Sequence, residues 1–553
     1  MPRGTLESSL SAVRSSKIPN TLMGQDTFFI TTAIDYTNSA PHIGHAYEKL
    51  LADVITRYQR SAGKKTYFLT GVDQHGQKVQ QSAEREGIPA QEFADRNTEK
   101  FVEMWTLLGL EFDGWAATTH PQHKAVVQAI LQKLFDQDQI YKATHTGYYS
   151  VRQEQFLTDK ERSEDGEFGS EWGEVEERTE ENYYFKLSEH VPWLKAFVAS
   201  HPDFVYPAFR GKELVNALEK ADAIDLCITR PKSRLEWGIE IPFDTEFVTF
   251  VWFDALINYV SFAGYLKDQV QVAADGLPSF DELWPANAHI IGKDIMIPAH
   301  AVYWPIMLHA MGFADEEMPK LLVHGFWNDK GGAKLSKSLG NVIDPADRIE
   351  RFGADGLRYY LMSAIATGKD ADFNDARIEE AYSQDLAGNL GNLLNRSLNM
   401  SKRYRASVLM KDADYDDDLN RELRDSFSKL PAAVAAHMEH YQVHLALEEI
   451  WKSLTLCNQF VEHSAPWKLA KAEAEATRLD TVLYHLAEAM AHAAFHIASV
   501  MPKTSQRMLE QLNFEFPTDF KAADLTWGIL PDGHTLGEGT PLFPRLDPLP
   551  EAS

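Results

Sequence analysis

The chain has 553 residues, 44% of them hydrophobic and 11% aromatic, enough to bury a large core and to divide into about two to four domains, which excludes a tail or a fibre. Its two cysteines, Cys227 and Cys457, lie far apart, so neither a disulfide framework nor a thiolate zinc cluster is available, and a reducing cytoplasm fits that usage. The formal charge of −27 argues against wholesale nucleic-acid binding and leaves local basic patches as the only phosphate contacts, while no apolar run of about 18 residues predicts a membrane span.

In chain order, residues 1–26 are rich in Ser and small residues and weakly basic. They read as a flexible extension, with an organellar transit segment as the alternative and Met23 as a candidate start. "TFFITTA" (Thr27 to Ala33) predicts a buried strand, "HAYEKLLADVITRYQRSAG" an amphipathic helix closed by Gly63, and "KTYFLTGVDQHG" the next strand with its loop. Strand, crossover helix and strand in that order predict an α/β fold with a doubly wound parallel sheet. Between about Thr118 and Pro242 the pattern breaks. There Asp159 to Glu181 carries eleven acidic and three basic residues, which suits an exposed inserted module. Strand signals resume at "EFVTFVWFDA", "HIIG" and "KLLVHGFW". After Asp375 only helical periodicity remains, to about Met501, and the Pro-rich end "PLFPRLDPLP" reads as an irregular tail.

Ligands of open α/β sheets bind outside the carboxyl ends of the strands, where strand order reverses. "SAPHIGHAYEKL" follows such a strand, so His42 and His45 add side-chain donors to a helix N-terminus that already favours phosphate, and Gly44 leaves room for a flat ring. Taken alone, the same residues also read as a capping loop with solvated histidines. "NDKGGAKLSKSLGNVIDP" places Lys334 and Lys337 in a Gly- and Ser-rich loop after the last strand, able to close over a triphosphate. Alone it would read as a solvated surface loop; the pairing of the two stretches carries the weight.

PHIGH early and KLSKS late are the two signatures of class I aminoacyl-tRNA synthetases, and the chain resembles that class. "HIIGKD" is similar to the G-x-D element with which the class holds ATP ribose, which implies roles for Gly292 and Asp294. "AIDYTNSAPHIGH", "GVDQHGQK", "FVWFDALINY", "IIGKDI", "HAVYWPIML" and "GGAKLSKSLGNVIDP" closely resemble the methionyl-tRNA synthetase family, over roughly residues 26 to 500. The resemblance implies that Asp73 holds the substrate ammonium and that Ala33, Ile34, Tyr36, Trp252, Ala255, Tyr259 and His300 line the side-chain site, with Tyr36 over the reacting carboxylate. A polarisable thioether suits such aromatic faces and offers a weak acceptor to a tyrosine hydroxyl or an imidazole. One departure is that "DIMIPAHAVYW" runs a residue longer than the family's spacing before His300. A second is that Ser150 and Gln153 stand where the family commonly has the first thiolate pair of a zinc knuckle, so a knuckle without zinc is expected.

The resemblance further implies a Rossmann-type class I catalytic domain (27–117 and 243–330), an inserted connective domain (118–242) and a lysine-loop and stem-contact region (331–374). An all-helical anticodon-binding domain (375–501) and a tail (502–553) complete the chain. Asn392 and Arg396, four apart on one helix face, match the anticodon readers and Trp467 the stacking residue, with Lys402, Arg403 and Arg405 as a phosphate-holding cluster. The implied activity is that of a methionine–tRNA ligase: L-methionine and ATP, carried with Mg2+, give methionyl adenylate and pyrophosphate, and the methionyl group then passes to the terminal ribose of initiator or elongator methionine tRNA. His42, His45, Lys334 and Lys337 would stabilise charge in the first step. Leucyl, isoleucyl and valyl enzymes share both signatures but carry a far larger insertion than the roughly 120 residues between Thr118 and Pro242. A non-catalytic tRNA-binding paralogue is the other alternative, against which stand His42, His45, Asp73, Lys334 and Lys337. A cytoplasmic monomer is expected, since about 50 residues after Met501 are too few for an appended dimerisation domain.

Overall fold

The computed structural model describes residues 27–150, 155–157, 162–163, 165–169, 172–220, 224–250, 252–270, 276–329, 331–332, 343–411 and 415–546. The expected extension 1–26, Gln153, and Lys334 and Lys337 lie outside these residues.

The main sheet is built around β1 (Thr27–Thr32), buried along its whole length, as a strand covered on both faces must be. On one side β1 pairs with β3 (Lys65–Asp73), and β3 with β4 (Gly114–Ala117); a short β2 (Asp35–Tyr36) continues the line of β1 along the end of β3. On the other side β1 pairs with β13 (Ala288–Gly292), which pairs with β14 (Leu321–His324) and that with β8 (Val205–Tyr206). Every pairing is parallel. Chain order runs outward from β1 in one direction and then restarts on its other side, so the reversal lies between β1 and β13 and a cleft opens at their carboxyl ends.

The insertion forms an antiparallel sheet of β5 (Ile140–Ser150), β6 (Gln155–Leu157), β7 (Val175–Phe185) and β9 (Leu226–Cys227), and also lends β8 to the main sheet. "EFVTFVWFDA", expected as one strand, divides. Its first half lies in β12 (Asp244–Thr249), which pairs antiparallel with β10 (Thr229–Pro231) and β11 (Glu240–Ile241) outside the main sheet, and Trp252 opens a helix to Ser261. Phe253 to Ser261 are all buried, and an apolar run without alternation does not separate a strand from a buried helix.

The helices Asn392–Arg405, Asp418–Met438, Val443–Ser464 and Ala476–Ile497 form the C-terminal bundle. The expected tail begins with a further helix, Pro502–Leu512, packed on Ala476–Ile497. The irregular stretch after it is docked: Leu530, Leu536 and Leu542 join the core, and the buried Glu488 carboxylate accepts the N–H groups of Gly528, Ile529 and Leu530 at 2.6, 2.7 and 3.0 Å. The helix Pro345–Ser363 touches the helices Ile43–Ser61, Ala90–Leu108 and Val443–Ser464, and so joins the sheet domain to the bundle. Among the described residues no helix is long and apolar enough to cross a membrane.

Candidate active site

His42 caps the helix Ile43–Ser61 at the carboxyl end of β1 and β2. The Gly44 N–H donates to His42 Nδ1 at 3.0 Å, and the His42 N–H donates to His45 Nδ1 at 3.2 Å. Each Nδ1 is thereby an acceptor, which puts the proton of each neutral ring on Nε2. The two rings lie 3.9 Å apart, so the capping bonds orient a pair of Nε2–H donors beside a helix N-terminus. Gly44 has a more local task than admitting a substrate ring: a Cβ there would stand 2.9 Å from His42 Cε1, so only glycine admits the capping imidazole. The Ile43 N–H bonds the Ile343 carbonyl at 3.2 Å, which ties the exit of the lysine-bearing segment to the start of this helix.

Ala33, Ile34, Tyr36, Asp73, Trp252, Ala255, Tyr259 and His300 come from four separate stretches of chain and line one cavity of about 940 Å3. Asp73 closes one end. Its Oδ1 accepts the His75 N–H and the Thr118 hydroxyl, both at 3.3 Å, and burial, reinforced by nearby Asp254, raises its carboxyl well above the usual range. At the other end the Tyr259 hydroxyl lies 2.8 Å from His300 Nε2, and His300 Nδ1 lies 2.9 Å from the Ile295 carbonyl. Burial pushes His300 down to about 4, so the ring is neutral, donates from Nδ1 and accepts the tyrosine proton at Nε2. The Tyr259 hydroxyl and the His300 imidazole are thus engaged with each other and with the Ile295 carbonyl. His300 lies in a wide turn, Met296–Tyr303, kinked at Ile297, in which the His300 and Trp304 N–H groups bond carbonyls five residues back.

Gly292 ends β13, and a Cβ there would fall 2.7 Å from Asp294 Oδ1; its absence lets the exposed Asp294 carboxylate fold over the strand end beside the cleft.

Two buried clusters behind these residues were not foreseen from the sequence. Lys49 Nζ donates to the Ala33 carbonyl at 2.9 Å, Asp35 Oδ1 at 2.6 Å and Glu48 Oε1 at 2.9 Å, and Glu48 Oε2 lies 3.0 Å from His324 Nε2. Neighbouring residues of one helix thus brace both sides of the reversal point. Burial, reinforced by the Glu48 charge, raises Asp35 to about 7 despite Lys49. Burial also opposes charge on Glu48, but Lys49 and His324 outweigh it and hold Glu48 down to about 2. In the second cluster Asp254 lies 2.8 Å from His75 Nδ1 and 2.9 Å from His123 Nε2; these imidazoles overcome burial and keep its carboxyl below the ordinary range. The legible signal was the charged pair Glu48–Lys49 on a helix face that is otherwise apolar.

In the bundle, Asn392 and Arg396 share the first turns of one helix, and Trp467 stands partly exposed after a neighbouring one. Arg396 Nη2 bonds Glu462 Oε1 at 2.7 Å, so a base edge must compete with that exposed pair. Of the expected phosphate cluster, Arg405 is held by Asp480 and Lys402 by Glu538, leaving Arg403 as the better phosphate contact. In the knuckle segment Ser150 Oγ donates to the Trp172 carbonyl at 2.5 Å, and the Arg162 guanidinium lies between the Tyr148 and Phe168 rings. Among the described residues no group of three His, Cys, Asp or Glu side chains is placed to hold a metal, and these donors do not fit a thiolate zinc site.

A parallel sheet with a histidine-capped helix at its reversal point, an insertion and a helical bundle defines a class I aminoacyl-tRNA synthetase. The family model described as tRNA synthetases class I (M) matches residues 28–165 and 170–398, and that described as the anticodon binding domain of methionyl tRNA ligase matches residues 411–548. Methionine–tRNA ligase of Deinococcus radiodurans is 38% identical over 94% of this chain and 75% of its own length, and that of Caldanaerobacter subterraneus 37% identical over 94% and 79%. The crystal structure of Mycobacterium tuberculosis methionyl-tRNA synthetase bound by methionyl-adenylate is similar with a TM-score of 0.85 and 34% identity, over 94% of this chain and 100% of that one. The chain belongs to the methionine–tRNA ligase family, whose members are ATP-dependent ligases.

Proposed function

We propose that the chain activates L-methionine with Mg-ATP and transfers it to methionine tRNA, initiator and elongator alike, with the residues of the cleft in the following roles. Asp73 binds the substrate ammonium, and the aromatic end of the cavity receives the thioether. A methionine carboxylate oxygen attacks the α-phosphorus in line as pyrophosphate leaves, a step in which no proton need move. The Nε2–H groups of His42 and His45, with Lys334 and Lys337, stabilise charge on the transferring phosphate; Gly292 and Asp294 hold the ribose. Mg2+ enters with ATP and screens its phosphates. The terminal ribose hydroxyl of the tRNA then attacks the acyl carbon and AMP leaves. The observation that carries this reading is the convergence of eight residues, a buried carboxylate and several aromatic rings among them, on one cavity. ATP–pyrophosphate exchange with each amino acid in turn tests it: exchange driven by methionine alone supports it, and exchange driven by leucine, isoleucine or valine, or by none, overturns it.

Asn392, Arg396 and Trp467 are proposed to read the anticodon. Trp467→Ala and Arg396→Ala should each lower kcat/KM for charging methionine tRNA by about 5- to 150-fold, since a stacked base or an arginine on a base edge contributes about 1 to 3 kcal/mol. Exchange should stay near normal, because adenylate formation needs only the sheet domain and the lysine loop. Normal charging, or a parallel loss of exchange, would remove these residues from that role.

The knuckle is proposed to hold without zinc. Elemental analysis of the purified chain should find well under one zinc per molecule, and a stoichiometric, chelator-resistant zinc would contradict this.

A further inference from the structure

At the junction between the sheet domain and the bundle, Arg358 and Asp53 form an ion pair with both side chains at 0% exposure. Arg358 lies on the helix Pro345–Ser363 and Asp53 on the helix that His42 caps. Arg358 Nη2 bonds Asp53 Oδ2 at 2.6 Å, and Nη1 bonds the Leu108 carbonyl at 3.2 Å, both in the sheet domain. Its Nε bonds the Val500 carbonyl at 2.6 Å and Nη2 also the Ser499 carbonyl at 3.1 Å, just beyond the end of the bundle helix Ala476–Ile497. One planar cation therefore satisfies carbonyls left over at a helix end while gripping the signature helix. Asp53 is held in turn by Arg57 Nε at 2.9 Å and by the Glu111 N–H at 3.0 Å.

Beside this pair the same junction is not filled. A cavity of about 550 Å3 separates Arg57, Tyr58 and Arg60 of the signature helix from Pro431, Val434 and Phe495 of the bundle. Where the cavity lies the two domains are not packed on each other, so beside it the directional bonds of Arg358 add a fixed angle to the apolar contacts that the helix Pro345–Ser363 makes with both. A buried ion pair is a poor source of net stability, because apolar residues of similar volume serve as well, and its best-attested use is to select one register.

We propose that the Arg358–Asp53 pair positions the anticodon bundle relative to the signature helix, and so sets where the acceptor end of a full-length tRNA arrives when its anticodon is held by the bundle. The inference rests on the tRNA-charging reading above. Arg358 and Asp53 touch no substrate; they are positioning residues that act through the placement of Trp467, Arg396 and Asn392. A slight rotation at the junction becomes a larger displacement at the far end of a long ligand, whereas methionine and ATP, bound within one domain, do not sense it.

The test uses full-length protein carrying Arg358→Lys, which keeps the charge but loses the planar fork, and a second variant, Arg358→Met with Asp53→Asn, which replaces the pair without stranding a buried charge. Three activities are compared with wild type: methionine-dependent exchange, charging of full-length methionine tRNA, and charging of an acceptor-stem minihelix lacking the anticodon. Expected are exchange and minihelix charging within about twofold of wild type and full-length charging lower by about 3- to 30-fold. Unchanged full-length charging in a folded variant, or an equal fall with the minihelix, overturns the proposal, as does failure of both variants to fold, which would make the pair a fold requirement. Wild-type charging, measured first, separates this outcome from failure of the tRNA-charging reading itself.

Discussion

Asp73→Asn is expected to weaken methionine binding by about 10²- to 10³-fold, the scale of removing one partner of a buried charge pair, while ATP affinity changes little. The carboxylate is buried in the cavity wall and, among the described residues, receives two long hydrogen bonds, both at 3.3 Å. It is thus under-compensated until a cation arrives. Burial and Asp254 raise its pKa in the free protein, so below that raised pKa the group carries a proton that an incoming ammonium must displace. The sign follows: methionine affinity tightens as pH rises through the raised free-state pKa and weakens as pH falls below it, and binding releases a proton. Calorimetry in two buffers of different ionisation enthalpy measures that release directly. For Asp73→Asn both the pH dependence and the proton release should vanish; wild-type affinity in the variant would place the ammonium elsewhere.

His42→Asn should lower the rate of adenylate formation by about 10²- to 10³-fold, as expected for one lost donor to transition-state charge, with little change in melting temperature. Asparagine is a good helix cap and its Oδ1 can take over the acceptor role of His42 Nδ1, so the helix start survives while the distal Nε2–H donor is lost. A pre-steady-state rate close to wild type, or a large fall in stability, would show that the imidazole serves only as a cap.

Much of this arrangement was legible from short-range chemistry. Apolar runs with helical crossovers marked β1, β3, β13 and β14, and PHIGH marked the helix start at the reversal point, because helix entrances and strand ends have local signatures. Less was legible where the outcome depended on contacts between distant residues. "EFVTFVWFDA" changes from strand to helix in mid-run because burial on all sides erases periodicity. The helix Pro502–Leu512 is hidden because Pro and Gly downstream dominate the composition of the tail, and the irregular stretch after it docks through Glu488 reaching three backbone N–H groups. The Asp254 cluster joins residues up to 179 positions apart, and Arg358 meets Asp53 across 305; no pattern within a window of sequence announces such encounters. The commitment of Tyr259 and His300 to each other was equally out of reach, since it depends on tautomers fixed by the Ile295 carbonyl.

The wide turn at Met296–Tyr303 also sets an angular phase. In an α-helix each residue advances by about 100°, so one additional residue would swing every later side chain by that amount unless a wider turn absorbed it. Here Ile297 is extended, so the kink at that residue and the bonds closed over five residues together set the heading with which the chain enters the helix at Trp304. His300 consequently faces Tyr259 while Trp304 Nε1, on the continuing helix, reaches His289 at 3.1 Å. The kink and the wide turn thereby fix the aim of both side chains, and with it the shape of the aromatic part of the cavity.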